Sequence, residues 1–190
     1  HPKDPRQRLV DAGARRIVPR DLPAEWARLR RVRELGFEPY GENHPGSREA
    51  RGLAGRWGLD ALTDAVSRLL DEGWIVTAED RPVSRARRLH VRVSSGIDWF
   101  DVEGRATFPE GDGVGFEAVL DAIRNRTRWV PLDDGGFGLL PKAWLQRWRA
   151  LAEMGRKSGD TTRLTRNQVG LAHVTVEAAR AKDSDSEVEV

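Results

Sequence analysis

Residues 94–155 constrain the fold more tightly than any other part of this 190-residue chain. They open with SSGIDWFDVEGRATFP and, after a Gly-rich loop, continue GFEAVLDAIRNRTRWVPLDDGGFG and LLPKAWLQRWRALAEMG. Trp99, Phe100, Phe108, Phe116 and Trp129 are its candidate core anchors. Two short strands, 99–102 and 106–108, are expected to flank a hairpin turn at Glu103-Gly104. Phe116, Val119, Leu120 and Ile123 recur at helical spacing and place one helix face against a sheet. A strand over 129–132 runs into Asp134-Gly135, a good turn dipeptide. Pro141 then opens a helix that carries Trp144, Leu145, Trp148 and Leu151 on one face and stops at Gly155. Trp144 and Trp148, four residues apart, read as a core stripe rather than a surface for stacking bases. Each local signal agrees with its neighbours, as expected of one folding unit.

Upstream, residues 1–20 read as an irregular basic arm. Asp21 can cap a helix with Pro23 in its first turn. Trp26, Leu29, Val32 and Leu35 form its apolar face, Arg28, Arg30, Arg31 and Arg33 its solvated face, and Gly36 its end. Residues 37–47 look like a loop, and 49–57 could add a helical turn weakened by Gly52 and Gly55. A second helix is expected over 60–72, capped by Asp60 and ended by Gly73. WIVTA, 74–78, carries a strand signal, and the run from Pro82 through the following arginines reads as a loop. Leu89, Val91 and Val93 alternate with His90, Arg92 and Ser94, the period of a half-buried strand. Beyond Gly155 the sequence loosens, with a last helix over about 165–181. The expected organisation is a basic arm (1–20), an α+β domain (21–155), a trailing linker and helix (156–182) and an acidic disordered end (183–190). The α+β domain should hold a small, mainly antiparallel sheet with helices packed on one side.

Composition removes several chemistries. There is no cysteine, hence no disulfide, thiolate metal site or cysteine nucleophile, which suits a reducing cytoplasm. No apolar run approaches the ~20 residues of a membrane-spanning helix. No Gly-Lys pair occurs, so the Gly-rich stretches GDGVG and DGGFG lack the lysine of a nucleotide-cradling loop and read as turns. His44, His90 and His173 lie on separate segments and suggest no metal site. Gly-X-Ser-X-Gly is absent. Asp98 with Asp101, and Asp133 with Asp134, sit at strand ends and turns, where aspartate satisfies local N–H groups. No catalytic, cofactor-binding or metal-binding residue is therefore assigned. The formal charge is only +2, yet the base is concentrated. Arg81, Arg85, Arg87, Arg88 and Arg92 follow one another with no acid between them. Arg85, Arg87, Arg88 and Arg92 are the candidate nucleic-acid contacts, able to track a phosphate backbone. A solvated arginine face is the competing reading. The chain opens on His1 rather than methionine, as expected of a piece of a longer protein.

SGIDWFDV, the spacing to FEAVLDAI, and above all RWVPLDDGGFGLLPKAWLQRW resemble the SNF2 helicase-associated domain, the accessory domain N-terminal to the ATPase motor of bacterial SNF2-family helicases. An L-x-x-x-G-W segment ending at Trp74 extends the resemblance upstream. It implies a parent protein that is an ATP-dependent DNA translocase, with ATP and Mg²⁺ handled by a motor in the same polypeptide. No motor residue lies in this chain, and the resemblance transfers no site residue. The expectation is a non-catalytic accessory domain, cytoplasmic, packing on that motor and contacting duplex DNA through its arginine faces. A protein-interaction or oligomerisation module without a DNA role is the alternative. A hydrolase using Asp98 and Asp101 is a third reading, which requires a concave pocket holding both.

Overall fold

In the computed structural model the described residues are 8–11, 16–19, 21–41, 44, 54–95, 98–109, 113–159, 161–165, 170 and 186–189. They fall into two compact units, residues 1–68 and 69–190. In the first unit β1 (Arg8–Asp11) pairs antiparallel with β2 (Arg16–Pro19), inside the stretch expected to be irregular. Asp21 caps α1 (Leu22–Glu34) as its spacing requires, its carboxylate accepting from the Ala24 N–H at 3.0 Å. Leu29 and Leu35 are buried, whereas Trp26 is exposed. Gly36 ends the helix at a φ of 91°, a conformation that glycine adopts freely. β3 (Glu38–Pro39) pairs with β4 (Gly55–Arg56). Beside them the Phe37 and Trp57 rings meet with centroids 4.8 Å apart, and the Trp57 indole N–H donates to the Leu35 carbonyl at 3.2 Å. α2 (Leu59–Asp71) starts on the Gly58 carbonyl, which accepts from Ala61 and Leu62. Asp60 thus lies inside the first turn rather than at the cap.

The second unit carries two sheets. In one, β5 (Thr77–Ala78) pairs antiparallel with β6 (Arg81–Arg85), β6 runs parallel to a later strand, β11 (Phe137–Leu139), and β11 closes an antiparallel hairpin with β10 (Trp129–Pro131). The other is built on the antiparallel pair β7 (Arg88–Ser95) and β8 (Trp99–Thr107), with β9 (Val114–Gly115) added to the end of β8. The chain then forms α3 (Phe116–Arg124), β10 (Trp129–Pro131), β11 (Phe137–Leu139) and α4 (Lys142–Met154). β12 (Arg156–Ser158) and β13 (Thr161–Thr165) extend the larger sheet on the β8 side, and β14 (Ser186–Glu189) lies parallel to β7 at the other edge.

Alternation along the strands decides which side the helices cover. Leu89, Val91, Val102, Ala106 and Leu164 point inward and are buried with Phe116, Val119, Leu120 and Ile123 of α3 and Trp144, Trp148 and Leu151 of α4. Phe116 and Trp148 meet edge to face, centroids 5.2 Å apart and planes at 82°. Burial of each such side chain contributes roughly 1.5–3 kcal/mol. Glu117 is the charged group in this layer. It accepts from the Thr162 hydroxyl and, at 3.3 Å, from Arg124, whose guanidinium also donates to the Ala152 carbonyl at 2.7 Å. One buried carboxylate thereby ties α3 to α4 and β13. The fold is α+β, mainly antiparallel, with α3 and α4 on one side of the larger sheet.

Several expectations are corrected. Glu103-Gly104 is no turn, because β8 runs through it. A Cβ on Gly104 would collide with the His90 carbonyl oxygen, so the glycine allows two strands to approach rather than reverse the chain. Of 74–78 only Thr77–Ala78 forms a strand, and Ile75 is 94% exposed. The run after Pro82 is not a loop: Val83 is buried and β6 is paired on both edges, with Pro82 near its start. Residues 156–158 and 161–165, expected to loosen, pair antiparallel as β12 and β13. Trp99, expected in the core, is 40% exposed. The last helix begins no earlier than the end of β13; Gly170 is helical, and the other positions of that helix lie outside the described residues, as does most of the possible turn at 49–57.

Candidate nucleic-acid interface

The arginine run lies where the chain passes from one sheet to the other. Arg85 is the last residue of β6 and Arg88 the first of β7. The two residues between them are held by backbone bonds to both sheets. Ala86 N–H donates to the Leu139 carbonyl at 3.0 Å, and Arg87 N–H to the Thr107 carbonyl at 2.8 Å. Ala86 turns its methyl group into the core, which sends the longer side chains beside it outward.

Arg85, Arg87 and Arg88 share a cavity of about 630 Å³ whose walls include Val83, Pro109 and Trp144. Asp71 is the one carboxylate among its lining residues and is ion-paired to Arg85. Arg87 and Arg88 are exposed, and among the described residues their guanidinium groups have no hydrogen-bond or ion-pair partner. Three guanidiniums against one carboxylate leave the cavity electropositive. Pro141 and Ala143, at the opening of α4, contribute to the same wall. That helix starts with Lys142, has no acid in its first turn and no side-chain cap. Its first N–H groups lack intrahelical acceptors, which adds partial positive charge to the arginine cluster.

Arg92, the fourth candidate, is not in this cavity. It lies four residues along β7 from Arg88, about 13 Å away at the strand rise, on the sheet face opposite the helices. Glu103, its register partner on β8, stands 4.0 Å from it. Neither Asp98 nor Asp101 lines the cavity. Asp101 instead accepts two bonds from Arg163, at 2.8 and 3.1 Å, and one from the Trp99 indole N–H at 3.2 Å. The Arg163 hydrogen bond, more than any other influence, holds the Asp101 carboxyl below its ordinary range.

Trp99, Arg105 and Arg163 were not singled out from the sequence as surface residues. The signal that finds Trp99 and Arg105 is the alternation Trp99, Asp101, Glu103, Arg105, which becomes visible once Gly104 is read as a strand interior, whereas Arg163 reaches Asp101 only through the pairing of β13 with β8. Among the described residues no three histidine, cysteine or carboxylate side chains are placed to share a metal ion, and no helix is long and apolar enough to cross a membrane. Comparisons with protein-family models, with curated proteins and with solved structures each find no match.

Proposed function

We propose that this chain is a non-catalytic accessory module of a bacterial SNF2-type DNA translocase, packing on the motor of the same polypeptide and holding duplex DNA by its phosphate backbone. The observation that carries the DNA contact is the cavity, where Arg87 and Arg88 stand without side-chain partners among the described residues, beside Arg85 and the start of α4. Guanidiniums in such a setting bind phosphate oxygens with little competition from the protein's own carboxylates. ATP and Mg²⁺ belong to the motor in this reading, and the setting is the cytoplasm. The assignment to a translocase rests on the resemblance carried by residues 94–155.

Duplex affinity, measured by fluorescence anisotropy across a salt series, tests the contact. The native chain should bind at low salt and weaken steeply as salt rises. Arg87→Glu with Arg88→Glu should reduce affinity by at least about ten-fold, since charge reversal removes attraction to the phosphates and adds repulsion in its place. Undetectable duplex binding at low salt, or an unaffected double variant, would leave the protein-interaction reading in its place. ATPase turnover by the chain alone in the presence of DNA would overturn the non-catalytic assignment.

A further inference from the structure

Trp99 occupies an unusual position for a large aromatic side chain. It sits on the face of the larger sheet opposite α3 and α4, 40% exposed. It is nevertheless fixed on two sides. Its indole N–H donates to Asp101 Oδ2 at 3.2 Å, and the Arg163 guanidinium lies 5.0 Å from its ring centroid. Asp101 also accepts both bonds of the Arg163 fork, so one carboxylate orients ring and cation together. An exposed tryptophan held by hydrophobic packing would signal only an imperfect core. Here polar groups hold it, on a surface that the core does not need.

The surroundings match one class of partner. Register places Arg163 opposite Asp101, Arg156 opposite Arg163, and Arg92 opposite Glu103, all on this same face. Arg156, Arg163 and Arg92 are exposed. Among the residues whose side chains are described, the acids on this face are Asp101 and Glu103, and β14 lies at the edge away from Trp99. Asp98 and Asp101 stand beside Trp99 with Arg163, and exposed Arg88 and Arg105 on the same face make its described charge positive overall. A rigid ring among guanidiniums on an open sheet suits an unpaired base flanked by phosphates, because every base has a π-face and stacking does not require a particular sequence. Duplex DNA offers no free base face at this point.

We infer that the Trp99–Asp101–Arg163 cluster is a stacking platform for an unpaired nucleobase, giving the chain a single-strand binding surface separate from the arginine cavity. Asp101 and Arg163 are positioning residues, and Trp99 makes the contact. The platform does not depend on the duplex reading.

The test is anisotropy with a labelled oligo(dT) and a labelled duplex, on the native chain, Trp99→Ala, Trp99→Phe and Arg87→Glu with Arg88→Glu. Trp99→Ala should weaken oligo(dT) binding by at least about five-fold, with Trp99→Phe recovering most of it. Duplex binding should be unchanged in both and weakened, by at least about ten-fold, only in the arginine variant. Equal oligo(dT) affinity in the native chain and Trp99→Ala, or equal weakening of oligo(dT) and duplex, overturns the platform. Should Trp99→Ala misfold by circular dichroism, fluorescence decides. Oligo(dT) should quench the native chain more than Trp99→Phe, and equal quenching rejects the proposal.

Discussion

At the scale of single residues, charge pairing separates groups that are engaged from groups that are available. Arg85 and Asp71 are both partly exposed, with side-chain exposures of 37% and 48%. Such a pair is screened by water and contributes no more than about 1 kcal/mol to stability. Asp71→Asn should therefore leave the melting temperature almost unchanged. It removes the one carboxylate among the cavity's lining residues, so duplex affinity should rise by up to about five-fold, with a steeper salt dependence. A variant that binds duplex no better would show that Arg85 takes no part. Asp101 behaves differently. Its folded-state pKa lies below its ordinary 3.8, so the Arg163 and Trp99 bonds stabilise the fold fully above the unfolded value. That contribution is lost as pH falls through the folded value, below about pH 4. The stability advantage of the native chain over Asp101→Asn should be constant near neutrality and shrink below that pH. Thermal melts across the acid range measure it, and an advantage that grows on acidification would contradict the assignment.

At the scale of elements, legibility followed how local the deciding interaction was. The Asp21 cap, the α3 face, the Asp134-Gly135 turn and the tryptophan stripe of α4 were all visible in the sequence, because each depends on residues within about a turn of one another. At Asp134-Gly135 the Asp134 carboxylate accepts from the Gly136 N–H at 2.8 Å and Gly135 takes a φ of 83°. β6 and β13 were not visible. Their partners lie far away in sequence, β11 for the first and β8 for the second, and neither run shows a strong alternating pattern. Gly104 misled for the same reason: glycine marks turns and close strand approach alike, and only the partner strand distinguishes them. The site was half legible. The arginine run grouped three of the four predicted contacts, but Arg92, four residues further along β7, lies about 13 Å from Arg88 and beside Glu103. Gly104→Ala tests the corrected reading. Its methyl group would press on the His90 carbonyl and lie 3.1 Å from the Val91 Cα, where no side chain can swing aside. A loss of about 1–3 kcal/mol in urea denaturation is expected. A hairpin turn at that position would tolerate alanine with a much smaller loss.

At the scale of the whole molecule, the two compact units divide the work unequally. The main core cluster, from Ala86 to Leu164, lies within residues 69–190, as do the cavity and the Trp99 platform. That unit has the size of an ordinary domain and a continuous core of its own. The boundary falls within α2, whose last residues Leu70 and Asp71 line the cavity. A cut at the boundary would therefore remove most of the helix that presents them. A fragment covering residues 58–190 keeps α2 whole, together with the Gly58 carbonyl on which its first turn closes. This fragment should unfold in one cooperative transition, coincident by circular dichroism and tryptophan fluorescence. It should bind duplex DNA and oligo(dT) within about two-fold of the full chain. The described residues that line the cavity and form the Trp99 cluster all belong to the second unit, so a large loss of affinity in a fragment that still folds would mean that residues 1–57 take part in binding. Retained affinity would place the nucleic-acid contacts in the second unit and leave the arginine-rich face of α1 free for a different partner, such as the motor.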